Sequence, residues 1–253
     1  MNLDECIKYL EEYNDVKLDD SFKDFNCLRA LLNITMPYNL NDEFYLSQDK
    51  IIQDEYKKKK IVSIDDLNKM TDSIYLYKGD ITLLKVDAIV NACNSKLLGC
   101  FIPLHNCIDN MIHSYAGLQV RRDLLYMLGE DYHERNGLVK ITNGYNLPAK
   151  FIFHTVGPIV QGNVSDANVT DLAGCYLSSL KEADKLKLNS IAFPCISTGI
   201  FSFPKEKACD IACNTVLNYL KESKSNLKVI FVSYEEYDFH IYNSKLRGLK
   251  NDY

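Results

Sequence analysis

Short apolar runs alternate with longer amphipathic stretches from residue 74 onward. The runs are rich in β-branched and aromatic residues and predict strands at residues 74–78, 87–91, 138–142, 151–155, 190–194 and 229–233. Apolar residues at helical spacing predict helices over residues 109–130, 168–187 and 205–223 and from residue 236. This alternation is typical of an α/β fold with helices on both faces of a mostly parallel sheet.

The first 70 residues follow a different pattern, with one proline, no glycine and apolar residues at helical spacing. Two helices are predicted around residues 3–10 and 25–32. Asn41-Asp42 is expected to cap a third helix that runs through Phe44, Leu46 and Ile51. Residues 61–67 are expected to connect into another short helix. We therefore predict a helical extension at residues 1–70 and an α/β domain at residues 71–253.

Composition and charge narrow the class of protein. The 253 residues are 47% hydrophobic and 25% charged with a formal net charge of −5, which disfavours broad binding to nucleic acid or to anionic membranes. The N-terminus lacks the order of a signal peptide, and no apolar run approaches the roughly 18 residues of a membrane span. Nine scattered cysteines do not resemble a secreted disulfide framework. We expect a cytoplasmic monomer, and the abundance of Lys, Asn, Ile and Tyr suggests a bacterial source.

Polar and glycine residues follow three of the predicted strands, where ligands bind in parallel sheets. They are Gly79-Asp80, residues 91–107 and residues 195–203. The third loop contains Ser197-Thr198-Gly199 ahead of Pro204 and a helix, so its backbone N–H groups could hold an anion. An ordinary strand-to-helix turn explains the same residues. Neither a Walker loop nor a G-x-G-x-x-G motif occurs.

Cys100, His105 and Cys107 place two thiols and an imidazole within eight residues. Soft sulfur and nitrogen ligands suit Zn²⁺, and three protein ligands would leave one position open, the pattern of a catalytic site. Alternatively, the cysteines are buried small hydrophobic residues or form a disulfide, or His113 or another cysteine closes the site into a structural one. Spacing alone leaves open and closed sites undecided.

Asp109 follows this cluster where a helix is predicted to begin. An N-cap would satisfy the free N–H groups of that helix. A carboxylate beside a metal loop could instead orient water or a ribose hydroxyl. The two roles are compatible. His113 and His154 are expected to be structural or core histidines.

These motifs together resemble the macrodomain family, and more narrowly its zinc-dependent MacroD-like branch. The resemblance spans roughly residues 74–246. It rests on Gly79-Asp80-Ile81-Thr82, on residues 86–91, on residues 141–149, on residues 154–158 and on residues 195–203. The run from Cys100 to Cys107 stands where most of the family is glycine-rich, and the helices ahead of Gly79 also resemble that branch. Ser202 and Cys93 depart from the usual residues without removing a proposed ligand.

The resemblance implies a three-layer α/β/α macrodomain sandwich with a cleft for ADP-ribose. Asp80 would accept a hydrogen bond from the adenine amino group, with Ile81 and Tyr234 lining the adenine site and Asn91 counted among the ligand-binding residues. The diphosphate would bind the backbone N–H groups of Ser197, Thr198, Gly199, Ile200 and Phe201. Asn94 and Asp109 would face the distal ribose as catalytic residues. One Zn²⁺ would be held there by Cys100, His105 and Cys107.

The implied function is a zinc-dependent hydrolase that removes mono-ADP-ribose from protein side chains, most simply from Asp or Glu esters. Its partners would be ADP-ribose and the mono-ADP-ribosylated protein. Two alternatives stay open at this point. One is a reader that binds ADP-ribose without cleaving it, for which Asn94 and Asp109 would be unnecessary. The other is deacetylation of O-acetyl-ADP-ribose.

Overall fold

Eight helices and nine strands make up the described part of the computed structural model, residues 1–18 and 23–249. The helices are α1 Leu3–Asn14, α2 Phe25–Ile34, α3 Asp42–Lys57, α4 Ile108–Ala116, α5 Leu118–Leu128, α6 Asp166–Lys185, α7 Lys205–Ser223 and α8 Glu236–Leu249. The strands are β1 Val62–Ser63, β2 Asn68–Lys69, β3 Ile74–Lys78, β4 Leu84–Lys85, β5 Ala88–Ala92, β6 Val139–Asn143, β7 Phe151–Thr155, β8 Ser190–Phe193 and β9 Lys228–Ser233. All six predicted strands are present within two residues of their predicted bounds.

Seven strands form one mixed sheet in the order β2-β3-β9-β8-β5-β7-β6. The five central strands run parallel, and the two edge strands pair antiparallel with β3 and β7. The predicted mostly parallel sheet is confirmed. Because β3, β9, β8 and β5 are parallel neighbours, their carboxyl ends lie at one edge of the sheet.

Helices cover both faces, so the central strands are buried on both sides. All four residues of β8 are buried, which explains why it reads as a continuous apolar run and not as an alternating one. On one face α6, α7 and α8 pack against the sheet through residues such as Tyr176, Phe193 and Phe231. On the other face α3, α4 and α5 pack around Ile89 and Ile152. This is the three-layer arrangement expected from the sequence.

The first three helices form a separate apolar cluster that also contains Leu118 of α5. Asn41 caps α3 as predicted, and its Oδ1 accepts a hydrogen bond from the N–H of Phe44 at 2.8 Å. The helix runs through Phe44, Leu46 and Ile51 as predicted, and Leu46 lies on its exposed face with 71% of its surface accessible. At about 100° per residue, position 46 lies nearly opposite Phe44, and the buried face of α3 continues through Gln48 and Ile52.

Two predicted elements differ from the structure. The single helix predicted over residues 109–130 is divided at Gly117. The φ of Gly117 is +96°, a conformation strained for any residue with a side chain, and the absence of a Cβ leaves room for the Gln48 amide. The short helix expected after residues 61–67 does not form. Instead β1 pairs with β4, a 3₁₀ turn spans Ile64–Asp66, and β2 joins the main sheet beside β3. The domain boundary at residue 70 stays a prediction.

Among the helices of residues 1–18 and 23–249, none combines the length and the apolar character that crossing a bilayer would require.

Candidate active site

The predicted loops meet at the edge formed by the carboxyl ends of the parallel strands. The strand order β3-β9-β8-β5 places Asp80, Tyr234, the 197–201 loop and Asn94 along this edge in that sequence. Adjacent strands are about 4.8 Å apart, so neighbouring loops are within reach of one extended ligand. Residues from four separate parts of the chain therefore border one cleft.

Asp80 and Tyr234 lie at the β3 and β9 end of the cleft. Asp80 caps the 3₁₀ turn Ile81–Leu83, and its Oδ1 accepts hydrogen bonds from the N–H and the hydroxyl of Thr82 at 2.9 and 2.7 Å. Its Oδ2 accepts none from the described residues, which leaves one carboxylate oxygen for a ligand amino group. Ile81 is buried, whereas Tyr234 is 80% exposed, so its side chain could contact a planar ligand group only from the solvent side of the cleft.

The loop after β8 presents a row of unused backbone donors. None of the N–H groups of residues 197–201 donates to an acceptor in the described part of the chain. The loop is held from behind, since the N–H groups of Ser202 and Phe203 donate to the carbonyls of Gly199 and Ser197 at 2.9 and 3.0 Å. Gly199 and Ile200 are exposed, and α7 begins directly afterwards. Free N–H groups ahead of a helix N-terminus suit a phosphate or another anion.

Ser197, at the start of this loop, packs closely against Gly157 after β7. Ser197 has a φ of +65°, and its hydroxyl is buried without a hydrogen-bond partner among the described residues. A Cβ on Gly157 would lie 2.0 Å from that hydroxyl and 2.8 Å from Ile196 Cγ2. Only glycine at position 157 lets the segment after β7 approach the loop this closely.

A buried polar cluster lies where β5 ends. Asn91 Nδ2 donates to Asp109 Oδ1 at 2.8 Å, and Asn94 Nδ2 contacts Asp109 Oδ2 at 3.4 Å and donates to the Gly99 carbonyl at 3.0 Å. Asp109 is 5% exposed, and burial raises the pKa of its carboxyl to about 6 although the Asn91 hydrogen bond opposes that shift. Asn91 is fully buried, and its amide contacts Asp109 and His154. The structure thus brings both predicted catalytic residues into contact.

Asp109 is not the N-cap of α4. That position is taken by Cys107, whose Sγ accepts a hydrogen bond from the N–H of Asn110 at 3.4 Å. The carboxylate of Asp109 is turned instead toward the amides at the end of β5. Of the two roles considered for Asp109, capping is excluded.

Two histidines lie behind this cluster, and both are buried, as expected for structural or core histidines. His154 Nδ1 lies 3.3 Å from Asn91 Nδ2 and its Nε2 lies 3.0 Å from Thr142 Oγ1. His113 Nε2 lies 3.5 Å from Asp109 Oδ1. Burial lowers the pKa of both rings, for His154 to about 3, so both are neutral. The sequence pointed to His154 only through residues 154–158, one of the segments that resemble the macrodomain family.

Cys100, His105 and Cys107 come together as predicted. Their ligand atoms all lie within 4.8 Å of one another, and Cys100 Sγ is 3.6 Å from His105 Nδ1. Ligands of a tetrahedral zinc ion, bound at about 2.0–2.3 Å, stand roughly 3.5 Å apart. The donor set and its spacing therefore fit Zn²⁺. His113 is not part of this group within the described residues, and Cys100 and Cys107 are not joined in a disulfide, which excludes that alternative.

Fold and edge loops together define an α/β/α protein with a candidate cleft for an anionic ligand and a candidate metal centre at one end. The sequence profile of the Macro domain matches residues 90–212. The chain belongs to the macrodomain family.

Three relatives show how far this similarity extends. A protein-ADP-ribose hydrolase of Staphylococcus aureus strain MRSA252 is 46% identical over 234 residues, covering 90% of this chain and 88% of that protein. A protein of the same name from Treponema medium is 42% identical over 237 residues and covers 91% of each chain. The solved Oceanobacillus iheyensis macrodomain with ADP has a TM-score of 0.66 and 34% identity, covering 74% of this chain and 97% of that chain. Because these alignments cover 90% and 91% of this chain, the similarity to the two hydrolases extends into the first 70 residues.

Proposed function

We propose that this protein is a zinc-dependent hydrolase that removes mono-ADP-ribose from modified Asp or Glu side chains of other proteins. The observation that carries the proposal is the Cys100, His105 and Cys107 group, which lies in the same loop segment as the amides that hold Asp109. Proteins named as protein-ADP-ribose hydrolases match this chain at 42–46% identity over nine-tenths of its length, which supports the same reaction class.

The cleft provides a separate contact for each part of ADP-ribose. Asp80 Oδ2 would accept a hydrogen bond from the adenine amino group, and Tyr234 would cover the ring. The free N–H groups of residues 197–201 would hold the diphosphate, which requires no net positive charge on the protein. The distal ribose would then reach Asn94 and Asp109, where β5 ends. Holding the ligand at both ends makes attack at its ribose close to unimolecular.

Hydrolysis would take place at C1″ of the distal ribose. The oxygen of a water molecule would attack C1″, the bond from C1″ to the side-chain carboxylate would break, and ADP-ribose and a free Asp or Glu would leave. Asp109 would accept the proton of that water, while Asn91 and Asn94 keep its two oxygens in place. A bound Zn²⁺ would supply Lewis-acid charge beside the ribose and the ester. Cys100, His105 and Cys107 would hold it with one position left open.

The test measures ADP-ribose release from an aspartyl mono-ADP-ribosylated protein. Zinc-loaded wild type, chelated wild type and Cys100→Ala are compared, with Cys27→Ala as a matched control because Cys27 is half-buried and lies outside the loop. We expect release by the zinc-loaded wild type and by Cys27→Ala only. Equal release by chelated enzyme would remove the zinc dependence.

Parallel substrates distinguish the alternatives. Arginine-linked and serine-linked ADP-ribosyl proteins test the ester preference, and O-acetyl-ADP-ribose tests deacetylation. Binding of ADP-ribose in calorimetry without release from any modified protein would establish a reader and contradict the hydrolase.

A further inference from the structure

The N-terminal helices contact the metal loop, defined here as residues 98–107, through a buried amide. Asn33, in the last turn of α2, is 1% exposed. Its Oδ1 accepts a hydrogen bond from the N–H of Leu104 at 2.9 Å, and its Nδ2 donates to Ser114 Oγ on α4 at 3.0 Å. A residue 71 positions earlier in the chain therefore holds the backbone of the loop between two of its metal-binding side chains.

A second buried amide closes this contact into a ring. The hydroxyl of Ser114 donates to Asn110 Oδ1 at 3.3 Å, and Asn110 Nδ2 donates to the carbonyl of Ile102 at 2.9 Å. Asn33, Ser114 and Asn110 are almost completely buried, so these hydrogen bonds do not compete with water. The N–H of Leu104 and the carbonyl of Ile102 are thus both bound by buried amides.

Arg121 holds the start of the loop in the same way. It is 1% exposed, and its Nε donates to the carbonyl of Leu98 at 2.6 Å. Its Nη1 donates to the carbonyls of Leu32 and Thr35 at the C-terminus of α2, at 3.0 and 2.5 Å. A cation is favoured at a helix C-terminus, so Arg121 joins α2 to the residue that precedes Gly99 and Cys100. The guanidinium also lies 4.3 Å from the ring centre of Phe101.

The backbone of the loop needs this support. Leu97 and Leu104 have φ values of +60° and +55°, a left-handed conformation that leucine rarely adopts. Arg121 binds the residue after Leu97, and Asn33 binds Leu104 itself. Strained backbone of this kind persists only where surrounding contacts determine it.

We propose that the N-terminal extension sets the shape of the metal loop, with Asn33 and Arg121 as positioning residues that hold Cys100, His105 and Cys107 ready for the metal. The proposal rests on the metal site of the proposed function. It assigns to the first helices a role in metal affinity that is separate from any role in substrate binding. Loss of an outer partner of a metal site lowers metal affinity by about 10- to 100-fold, which is the effect expected for Asn33→Ala.

The experiment compares the full-length wild type with Asn33→Ala, Ser114→Ala and the control Asn26→Ala. Asn26 lies on the same helix, is exposed and does not contact the loop. Zinc affinity is measured by competition with a chelator, and substitution with Co²⁺ gives the absorption bands of the thiolate ligands. Thermal unfolding of each variant establishes that it is folded.

We expect Asn33→Ala to bind zinc about 10- to 100-fold more weakly and to show altered Co²⁺ bands, while Asn26→Ala matches the wild type. Ser114→Ala keeps the hydrogen bond from Leu104 and should lose less affinity, so it decides the question if Asn33→Ala does not fold. Zinc affinity within twofold of wild type and unchanged Co²⁺ bands in Asn33→Ala, or in Ser114→Ala if Asn33→Ala does not fold, would overturn the proposal. Absence of thiolate bands in the wild type would overturn the metal site itself, which separates the two failures.

Discussion

Lowering the pH from 7 to 4 should protonate His154 in the unfolded chain but not in the folded protein. The ring is fully buried between Asn91 and Thr142. Because the Nδ2 group of Asn91 can only donate, Nδ1 of His154 accepts its hydrogen bond, and the neutral ring carries its proton on Nε2, which donates to Thr142 Oγ1. A second proton on Nδ1 would face the Asn91 donor. The neutral ring is therefore built into the folded state.

The size of the effect follows from the shift in pKa. Burial lowers the pKa of His154 from 6.5 to about 3. Because the pKa of His154 is lower in the folded protein than in the unfolded chain, the neutral ring contributes its full stability above pH 6.5, and this contribution is lost as the pH falls toward 3. At pH 4, about 2.5 units below the unfolded pKa, protonation of the unfolded chain lowers the free energy of unfolding by about 3 kcal/mol, at 1.36 kcal/mol per unit. Domains of this kind are stable by about 5–15 kcal/mol in total, so the loss is measurable.

The assay is urea unfolding followed by circular dichroism at pH 7, 5.5 and 4, for wild type and His154→Gln. Glutamine keeps one donor and one acceptor but takes up no proton. The wild type should lose about 3 kcal/mol more than the variant between pH 7 and 4. The exposed His240 provides the control, because His240→Gln should follow the wild type. Parallel losses in wild type and His154→Gln, within about 1 kcal/mol, would refute the neutral buried ring.

Three further changes test other parts of the structure. Phe44→Ala should lower the free energy of unfolding by about 3–5 kcal/mol because Phe44 is fully buried, whereas the exposed Leu46→Ala should change it by less than about 0.5 kcal/mol; equal costs in urea unfolding would contradict the assigned face of α3. Gly157→Ala should displace the Ser197 hydroxyl and weaken ADP-ribose binding in calorimetry by about tenfold or more, and unchanged affinity would argue against that loop as the diphosphate site. Burial raises the pKa of Asp87, but hydrogen bonds to its carboxylate outweigh burial and keep that pKa below 3.8. Asp87→Asn should therefore lower the free energy of unfolding by about 1–2 kcal/mol at pH 7 and by progressively less below pH 4. A loss that does not depend on pH would show that the charge of Asp87 is not its cause.

The strands and the chemistry of the loops could be predicted because both depend on residues close together in the chain. Residues 74–78 and 151–155 contain enough β-branched and aromatic side chains to identify them as strands. A parallel sheet then places its carboxyl ends at one edge, which brings Asp80 and the 197–201 loop into one cleft. Cys100, His105 and Cys107 lie within eight residues, so their proximity also follows from the sequence.

Burial of individual polar residues could not be predicted in this way. Arg121 and Arg122 are adjacent, and only the contacts of α5 with α2 decide that Arg121 is buried and Arg122 is not. His154 is buried as predicted, but its hydrogen-bond partners Asn91 and Thr142 come from two other strands and could not be read from the sequence.

The sequence by itself determined the α/β class, the order of the strands along the chain and the three residues of the candidate metal centre. Only the tertiary structure decided that an N-terminal helix contacts the loop of that centre, because Asn33 meets Leu104 across 71 residues of chain. Local periodicity specifies which face of a helix is apolar. It does not specify which distant segment covers that face, since that choice depends on packing and hydrogen bonds formed only in the folded protein.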